Sequence, residues 1–126
     1  RAAGRSRTRR WSAWRRCRHL EIFTAATMPR LRARSVELTR TLEALVAGIE
    51  GVEQITPADP ERRGAMLTLR LPVPTSEVVR RLGAAGVIVD ARPPRILRVA
   101  PAPLYNSYED LWRFGEALKT ALAGVV

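Results

Sequence analysis

The sequence predicts an α+β fold in which a small, mostly antiparallel sheet is covered by helices. Three observations support this prediction. Two long stretches carry apolar residues at helical spacing, one near the start and one at the end of the globular part. Between them lie short apolar runs separated by proline- and glycine-rich turns. The length of 126 residues and the hydrophobic fraction of 46% suit a single domain with a modest core.

The first long helix is predicted to follow Thr27, which suits an N-cap, and to carry Pro29 in its first turn. Gly48 marks its end. The predicted buried stripe consists of Leu31, Leu38, Leu42, Leu45 and Ile49. Residues 20–24, which precede this helix, form a short apolar piece that we interpret as the end of another helix.

Two strands and a helix are predicted next. Residues 52–55 form a short strand candidate, and the proline- and charge-rich residues 56–64 form a loop. Residues 66–71 alternate like a strand, with one set of side chains on each face. One face carries Leu67, Leu69 and Leu71, and the other carries Met66, Thr68 and Arg70. Thr75 or Ser76 then caps a helix that two glycines end.

The last part of the chain adds two strands and a helix. The β-branched run of residues 87–90 predicts a buried strand, residues 91–95 a turn, and residues 96–99 the next strand. Ser107 and Asp110 have the spacing of a capping box, which opens the final helix. The predicted buried face of that helix consists of Leu111, Phe114, Leu118 and Leu122.

The net charge of +10 is concentrated in residues 1–19, which hold eight arginines and no acidic residue. The other 14 basic and 12 acidic residues leave the rest of the chain nearly neutral. Like-charge repulsion predicts a disordered tail. With Trp11 and Trp14 interleaved, the tail is a candidate arm for phosphate backbones or anionic lipid, and a plain solvated tail is the alternative.

A third interpretation is that residues 1–19 are translated out of frame. The chain has 21 arginines and one lysine, which indicates a GC-rich coding sequence. Out-of-frame translation of such DNA yields arginine-rich peptides. With GC-rich codons, residues 9–17 read in a shifted frame as P-V-V-G-M-A-A-L, an ordinary apolar segment. The predicted organisation is therefore an arginine-rich tail over residues 1–19 and a domain over residues 20–126.

Several function classes lack the residues they need. No apolar run is long enough to span a membrane. The single cysteine, Cys17, and the single histidine, His19, argue against a metal site and against a self-contained hydrolase triad. Lys119 is the only candidate for a Schiff-base amine, but it lies on the flank of an amphipathic helix, which is typical of a solvated lysine. The Arg62–Gly64 loop has the residues to bind an anion, although a solvated loop is the favoured interpretation.

Arg98 is the main candidate for a functional residue, because it lies between Leu97 and Val99, where a strand should enter the core. An unpaired guanidinium is very costly to bury, so Arg98 needs an anionic partner. From the residues alone, a neighbouring carboxylate such as Asp90 is favoured, and a bound ligand is the alternative.

The stretch that contains Arg98, I-L-R-V-A-P-A-P-L-Y-N-S-Y-E-D-L-W-R-F, resembles the C-terminal signature of kynureninases, I-R-V-A-P-V-P-L-Y-N-S-F-x-D-V-x-R-F. Three further stretches also resemble that family. They are T-P-A-D-P-E-R-R-G-A-M-L-T-L-R, G-V-I-V-D-A-R-P-P and L-E-I-F-T-A-A-T-M-P-R-L-R-A-R-S-V-E-L-T. Together the four stretches extend from Leu20 to about Ala123. Met66 departs from the family pattern, which usually has glutamine there.

The resemblance implies the C-terminal small domain of a fold-type-I enzyme that uses pyridoxal 5′-phosphate. It implies a cytoplasmic homodimer that hydrolyses L-kynurenine, or 3-hydroxykynurenine, to anthranilate or its hydroxylated form and L-alanine, in tryptophan catabolism and NAD biosynthesis. It also implies that Arg98 binds the substrate α-carboxylate, as a planar guanidinium fork suits.

The family's Schiff-base lysine, its aspartate facing the pyridine nitrogen and its phosphate-binding loops belong to the large domain, and this sequence has none of them. We therefore expect no catalytic, cofactor-binding or metal-binding residue in this chain, and no activity from it alone. The truncation is interpreted as a frameshift or a mistaken gene start. A small nucleic-acid- or ligand-binding module with a basic tail is the alternative.

Overall fold

A computed structural model describes residues 20–125. These residues fall into two compact units that divide at Arg32, inside the first long helix. In the first unit, residues 20–26 are helical, and helix α1 (Met28–Ala47) then begins. Thr27 lies at the predicted N-cap position, where its carbonyl accepts a hydrogen bond from the Leu31 amide. Its φ of 60° is rare for a β-branched residue. The predicted tail, residues 1–19, lies outside the described residues.

The second unit contains a sheet of four strands that are all antiparallel, which confirms the predicted sheet. The strands are β1 (Glu53–Gln54), β2 (Leu67–Arg70), β3 (Asp90–Arg92) and β4 (Ile96–Val99). Their order across the sheet is β1-β2-β4-β3. Strand β4, which carries Arg98, is therefore paired on both sides, whereas β3 is at the edge of the sheet that residues 20–125 form.

Alternation along the central strands separates an apolar face of the sheet from a polar one. In β2, Leu67 and Leu69 are fully buried and Arg70 is exposed, as predicted. In β4, Leu97 and Val99 are buried in the same way. The apolar face packs with three helices around a core, which includes Leu38, Leu42, Val78, Leu82, Phe114 and Leu118. The opposite face of the sheet, which we call the open face, carries the polar residues.

Helices α2 (Thr75–Ala84) and α3 (Tyr108–Ala123) complete the predicted order of elements. At α3 the capping box is present as predicted, with the Ser107 hydroxyl and the Asp110 carboxylate each bonded to the other residue's amide. At α2 the predicted cap is wrong, because Pro74 occupies the N-cap position and Thr75 is buried in the first turn. No helix among residues 20–125 has the length and apolar character needed to cross a membrane.

The predicted buried strand over residues 87–90 is also wrong, since strand β3 begins only at Asp90. Gly86, at a φ of 78°, turns the chain out of α2, and residues 87–89 run on without joining the hydrogen-bonded ladder. Val87 and Val89 pack partly against the core, whereas Ile88 is 96% exposed. The β-branched run thus keeps a strand-like alternation, but it lies at the edge of the sheet, where no strand of residues 20–125 pairs with its outer side.

Candidate functional site

Arg98 lies on the open face of the sheet rather than in the core. Because side chains alternate along a strand, Leu97 and Val99 enter the core and Arg98 points away from it. Its side chain is 32% exposed. The expectation that this charge enters a core is therefore wrong, but the expectation that it has an anionic partner is confirmed.

That partner is Asp90, which lies directly opposite Arg98 across the β3–β4 pair. The Arg98 Nε donates to the Asp90 Oδ2 over 2.7 Å, and the Arg98 Nη2 donates to the same oxygen. Hydrogen bonding from Arg98 is the main cause that holds the pKa of the Asp90 carboxyl below its usual range. A second cation, Arg92, places its Nη2 3.3 Å from the same Oδ2. Asp90 is thus ionised and shared between two guanidinium groups.

The rest of the open face around Arg98 is polar and rich in arginine. Thr68 lies directly opposite Arg98 on its other side, in β2. Arg70, the next residue of β2 on this face, pairs with Glu53 over 2.8 Å. Since cross-strand neighbours on one face are close, Arg98 lies in a row between Thr68 and Asp90. This part of the face holds three guanidinium groups, of Arg70, Arg92 and Arg98, against two carboxylates, and therefore carries an excess of positive charge.

The segment after β4 is held by its own hydrogen bonds. The Asn106 side-chain Oδ1 accepts from the Ala102 amide over 2.6 Å, and the Asn106 amide donates back to the Ala102 carbonyl over 2.9 Å. Pro101 is buried, whereas Tyr105 is 80% exposed. The segment therefore leads from Arg98 to the capping box of α3 along a fixed path and presents one large aromatic ring to the exterior.

Tyr108, in the first turn of α3, contacts helix α1. Its hydroxyl lies 3.2 Å from the Glu37 Oε2 and donates to it. The Arg34 guanidinium carbon lies 4.4 Å from the centre of the Tyr108 ring, within the range of a cation–π contact. These partners are about 70 residues apart in sequence, so no local pattern predicts them. They hold the start of α3, and hence the end of the segment that follows Arg98.

The interpretation of Arg62–Gly64 as a solvated loop is wrong for Arg63. The Arg63 side chain is only 1% exposed and forms a two-pronged ion pair with Glu43 of α1, with Nη2 2.7 Å from Oε2. Gln54 donates to the Glu43 Oε1 over 2.6 Å. The hydrogen bonds from Arg63 lower the pKa of Glu43, and the same bonds raise the pKa of Arg63. The Arg63 guanidinium is therefore occupied by a structural pair and is not open to a ligand from solvent.

Among residues 20–125, no side chain has the environment needed to hold pyridoxal 5′-phosphate through a Schiff base. The one lysine of the sequence, Lys119, lies on the exposed side of α3 and pairs with Glu116 over 2.9 Å. Its environment is that of a solvated lysine, as predicted. Within residues 20–125, no group of three or more histidine, cysteine, aspartate or glutamate side chains is placed to hold a metal ion. The part of the chain that the structure describes thus does not fit this cofactor by itself.

A cavity of about 420 Å³ lies beside the start of α3, between residues 85–89 and 99–101. Its charged lining residues have structural partners. Asp110 caps α3, and its hydrogen bonds from Ser107 lower the pKa of its carboxyl. Arg113 pairs with Glu109 over 2.6 Å. Arg98 does not line this cavity. The candidate residue Arg98 therefore lies on the open face, and not in this cavity.

Comparison with known proteins places this site in a family context. Residues 31–118 match the family model described as the kynureninase C-terminal domain. The chain is 49% identical to a kynureninase of Coccidioides immitis over 104 residues, which are 75% of this chain and 22% of that protein. It is 48% identical to a kynureninase of Myxococcus xanthus over 102 residues, which are 79% of this chain and 24% of that protein. The chain spans about a quarter of the length of these relatives.

Solved structures show the same fold. The cysteine desulfurase CsdA of Escherichia coli superposes with a TM-score of 0.74 at 21% identity, covering 85% of this chain and 29% of that one. A glycine decarboxylase P-protein superposes with a TM-score of 0.65 at 28% identity, covering 79% of this chain and 24% of that one. These likenesses confirm the predicted fold, that of the C-terminal domain of fold-type-I pyridoxal-phosphate enzymes. They lend no support to the alternative of a nucleic-acid- or ligand-binding module.

Proposed function

Because the chain belongs to the kynureninase family, we propose that it serves as the substrate-carboxylate-binding part of a kynureninase. The proposed reaction of the intact enzyme is the hydrolysis of L-kynurenine, or 3-hydroxykynurenine, to L-alanine and anthranilate or 3-hydroxyanthranilate. The observation that carries the proposal is the position of Arg98. It lies within the matched residues, on the polar face of the sheet, and is held there by Asp90.

The proposed task of Arg98 is to bind the α-carboxylate of the substrate. A guanidinium fork binds a carboxylate through two parallel hydrogen bonds, which fix the orientation of the bound group as well as its position. Fixing the carboxylate fixes the substrate Cα, and such orientation is a large part of what an enzyme contributes to rate. Kynurenine and 3-hydroxykynurenine carry the same α-carboxylate, so Arg98 does not discriminate between them.

The cofactor proposed for the intact enzyme is pyridoxal 5′-phosphate, as family membership and the fold support. Since residues 20–125 do not by themselves fit that cofactor, we assign them no step of the reaction beyond carboxylate binding. We accordingly expect the isolated chain to hydrolyse no kynurenine and to show no absorbance from bound cofactor. A homodimeric enzyme in the cytoplasm, acting in tryptophan catabolism and NAD biosynthesis, belongs to the same proposal and has family membership as its support.

The test uses a holoenzyme in which residues 20–126 replace the corresponding C-terminal segment of the Myxococcus xanthus kynureninase, 48% identical to this chain. In this chimera, Arg98→Ala removes the guanidinium that is proposed to bind the substrate α-carboxylate. Hydrogen bonds to charged groups contribute about 1.5–3 kcal/mol, so kcat/KM for L-kynurenine should fall roughly 10- to 150-fold. Cofactor absorbance should stay unchanged.

Arg70→Ala is the matched control, because Arg70 is an arginine of the same face that already pairs with Glu53. It should leave kcat/KM within about threefold, as expected for an exposed pair. Kinetics of Arg98→Ala equal to those of the control would refute the proposed role of Arg98. A chimera that folds and binds its cofactor, yet never hydrolyses kynurenine, would refute the proposed function.

A further inference from the structure

The way Asp90 contacts Arg98 leaves one end of the guanidinium available. A guanidinium group can bind a carboxylate along its side, through Nε and Nη2, or at its end, through Nη1 and Nη2. Asp90 takes the side, because both of its hydrogen bonds come from Nε and Nη2. Within residues 20–125, no hydrogen bond from the Arg98 Nη1 is formed. The end of the fork is therefore open to a second carboxylate while Asp90 stays bound.

We propose that Asp90 is a positioning residue for Arg98, which holds the guanidinium by its Nε side so that its Nη1–Nη2 end is presented to the substrate carboxylate. This inference rests on the proposed function. It adds a second residue to the site and a reason for the orientation of the first. Asp90 is then not a rival of the substrate for Arg98, since the two carboxylates use different sides of one planar group.

Backbone pairing fixes the place of Asp90. It lies opposite Arg98 in the β3–β4 register, and the turn between these strands is held from outside. The Thr75 amide donates to the Pro94 carbonyl over 2.9 Å, and the Leu71 amide donates to the Arg95 carbonyl over 2.8 Å. The Asp90 carboxylate is therefore held beside Arg98 by the sheet pairing, while the start of α2 and the end of β2 hold the turn.

Charge gives a second reason for this pairing. The guanidinium groups of Arg92 and Arg98 both contact the same Asp90 oxygen, Oδ2. Without Asp90, the two cations would repel each other, and the long Arg98 side chain would regain its rotamer freedom. A substrate would then have to order Arg98 on binding. Immobilising one such side chain costs about 0.5–1.5 kcal/mol, which corresponds to roughly 2- to 13-fold in affinity.

The test compares Asp90→Ala with Asp90→Asn in the chimeric holoenzyme. Asp90→Ala should raise KM for L-kynurenine roughly 2- to 13-fold, with a smaller effect on kcat. Asp90→Asn keeps an oxygen that accepts from the Nε side but loses the negative charge between the two cations, so it should raise KM less than Asp90→Ala does. Glu53→Ala is the matched control, because Glu53 is an exposed carboxylate of the same face that pairs with Arg70 instead.

Two further measurements separate positioning from a general structural role. Kynuramine lacks the α-carboxylate, so its inhibition constant should be the same for Asp90→Ala and for the unsubstituted chimera. In the Arg98→Ala background, Asp90→Ala should have no further effect on KM, because residues that act through one another are not additive. Purely structural damage would instead weaken kynuramine binding and persist in the double variant.

The outcomes distinguish the two levels of the proposal. A costly Arg98→Ala combined with a silent Asp90→Ala would overturn the positioning role and leave the proposed function standing. A cost of Asp90→Ala that persists in the Arg98→Ala background would also overturn it. A silent Arg98→Ala would refute both. Support requires a KM effect of Asp90→Ala that asparagine relieves, that kynuramine does not show and that disappears without Arg98.

Discussion

The buried pair between Arg63 and Glu43 offers a direct test of what holds the loop of residues 56–64 against helix α1. The substitution Arg63→Ala removes both hydrogen bonds to Glu43 and the bond of 3.1 Å from Arg63 Nη1 to the Pro57 carbonyl. Removing one partner of a buried ion pair costs about 3–5 kcal/mol, because the other charge loses its compensation. Glu43 keeps its bond to Gln54 and is 20% exposed, so water restores part of the loss.

We therefore expect the lower end of that range, about 3 kcal/mol. For a unit of this size, 1 kcal/mol shifts the melting temperature by about 4–8 °C, so Arg63→Ala should melt roughly 12–24 °C below the unsubstituted chain. The assay is thermal and urea denaturation followed by far-ultraviolet circular dichroism. Arg62→Ala is the matched control, since Arg62 is the exposed neighbour in the same loop, and it should change stability by no more than about 0.5 kcal/mol.

The pH dependence gives a second view of the same pair. The pKa of Glu43 is lowered mainly by its hydrogen bonds from Arg63. A carboxyl whose pKa is lower in the folded state stabilises the fold above its unfolded-state pKa, and this contribution is lost as pH falls through the folded-state pKa. The difference in free energy of unfolding between the unsubstituted chain and Arg63→Ala should thus be largest near neutral pH and should shrink in acid. Equal melting of Arg63→Ala and Arg62→Ala would refute the reasoning.

Two other predictions concern the helices. Ser107→Ala removes half of the capping box of α3 and should lower stability by about 1 kcal/mol in urea denaturation, whereas Ser76→Ala, an exposed serine of α2 with no capping hydrogen bond, should have little effect. Glu77 of α2 accepts hydrogen bonds from Arg80 and Arg81, which lower the pKa of its carboxyl to about 2. An NMR titration of that carboxyl should show this low midpoint, and Arg80→Ala should raise it; a midpoint near the ordinary value would contradict the arrangement.

The parts of the fold that sequence predicts well are those set by neighbours along the chain. The capping box of α3 needs only Ser107 and Asp110, which are three residues apart, and it forms as predicted. The alternation of β2 likewise depends on its own residues and on the presence of a core beneath it. The pairing of Arg98 with Asp90 was open to prediction, because only a short hairpin separates them.

The predictions that failed concern residues whose environment is set by parts of the chain that are distant in sequence. Arg63 and Glu43 are 20 residues apart, and nothing in the charge pattern of the loop indicates that α1 passes beside it. The residues after Gly86 have the composition of a buried strand, but their position at the sheet edge leaves them unpaired and exposes Ile88. The carboxylate-binding role of Arg98 came from the family resemblance, and it stays a prediction.

The strand order has a consequence for how the Arg98–Asp90 pair opens in local fluctuations. Arg98 is carried by β4, which has a partner strand on each side, whereas Asp90 is carried by β3, which has one. Strands with fewer partners open more often in local fluctuations, so the amide hydrogens of β3 should exchange with solvent before those of β4. Any transient separation of the two residues then begins with movement of Asp90, which frees the Arg98 side chain while the backbone of β4 stays paired with β2.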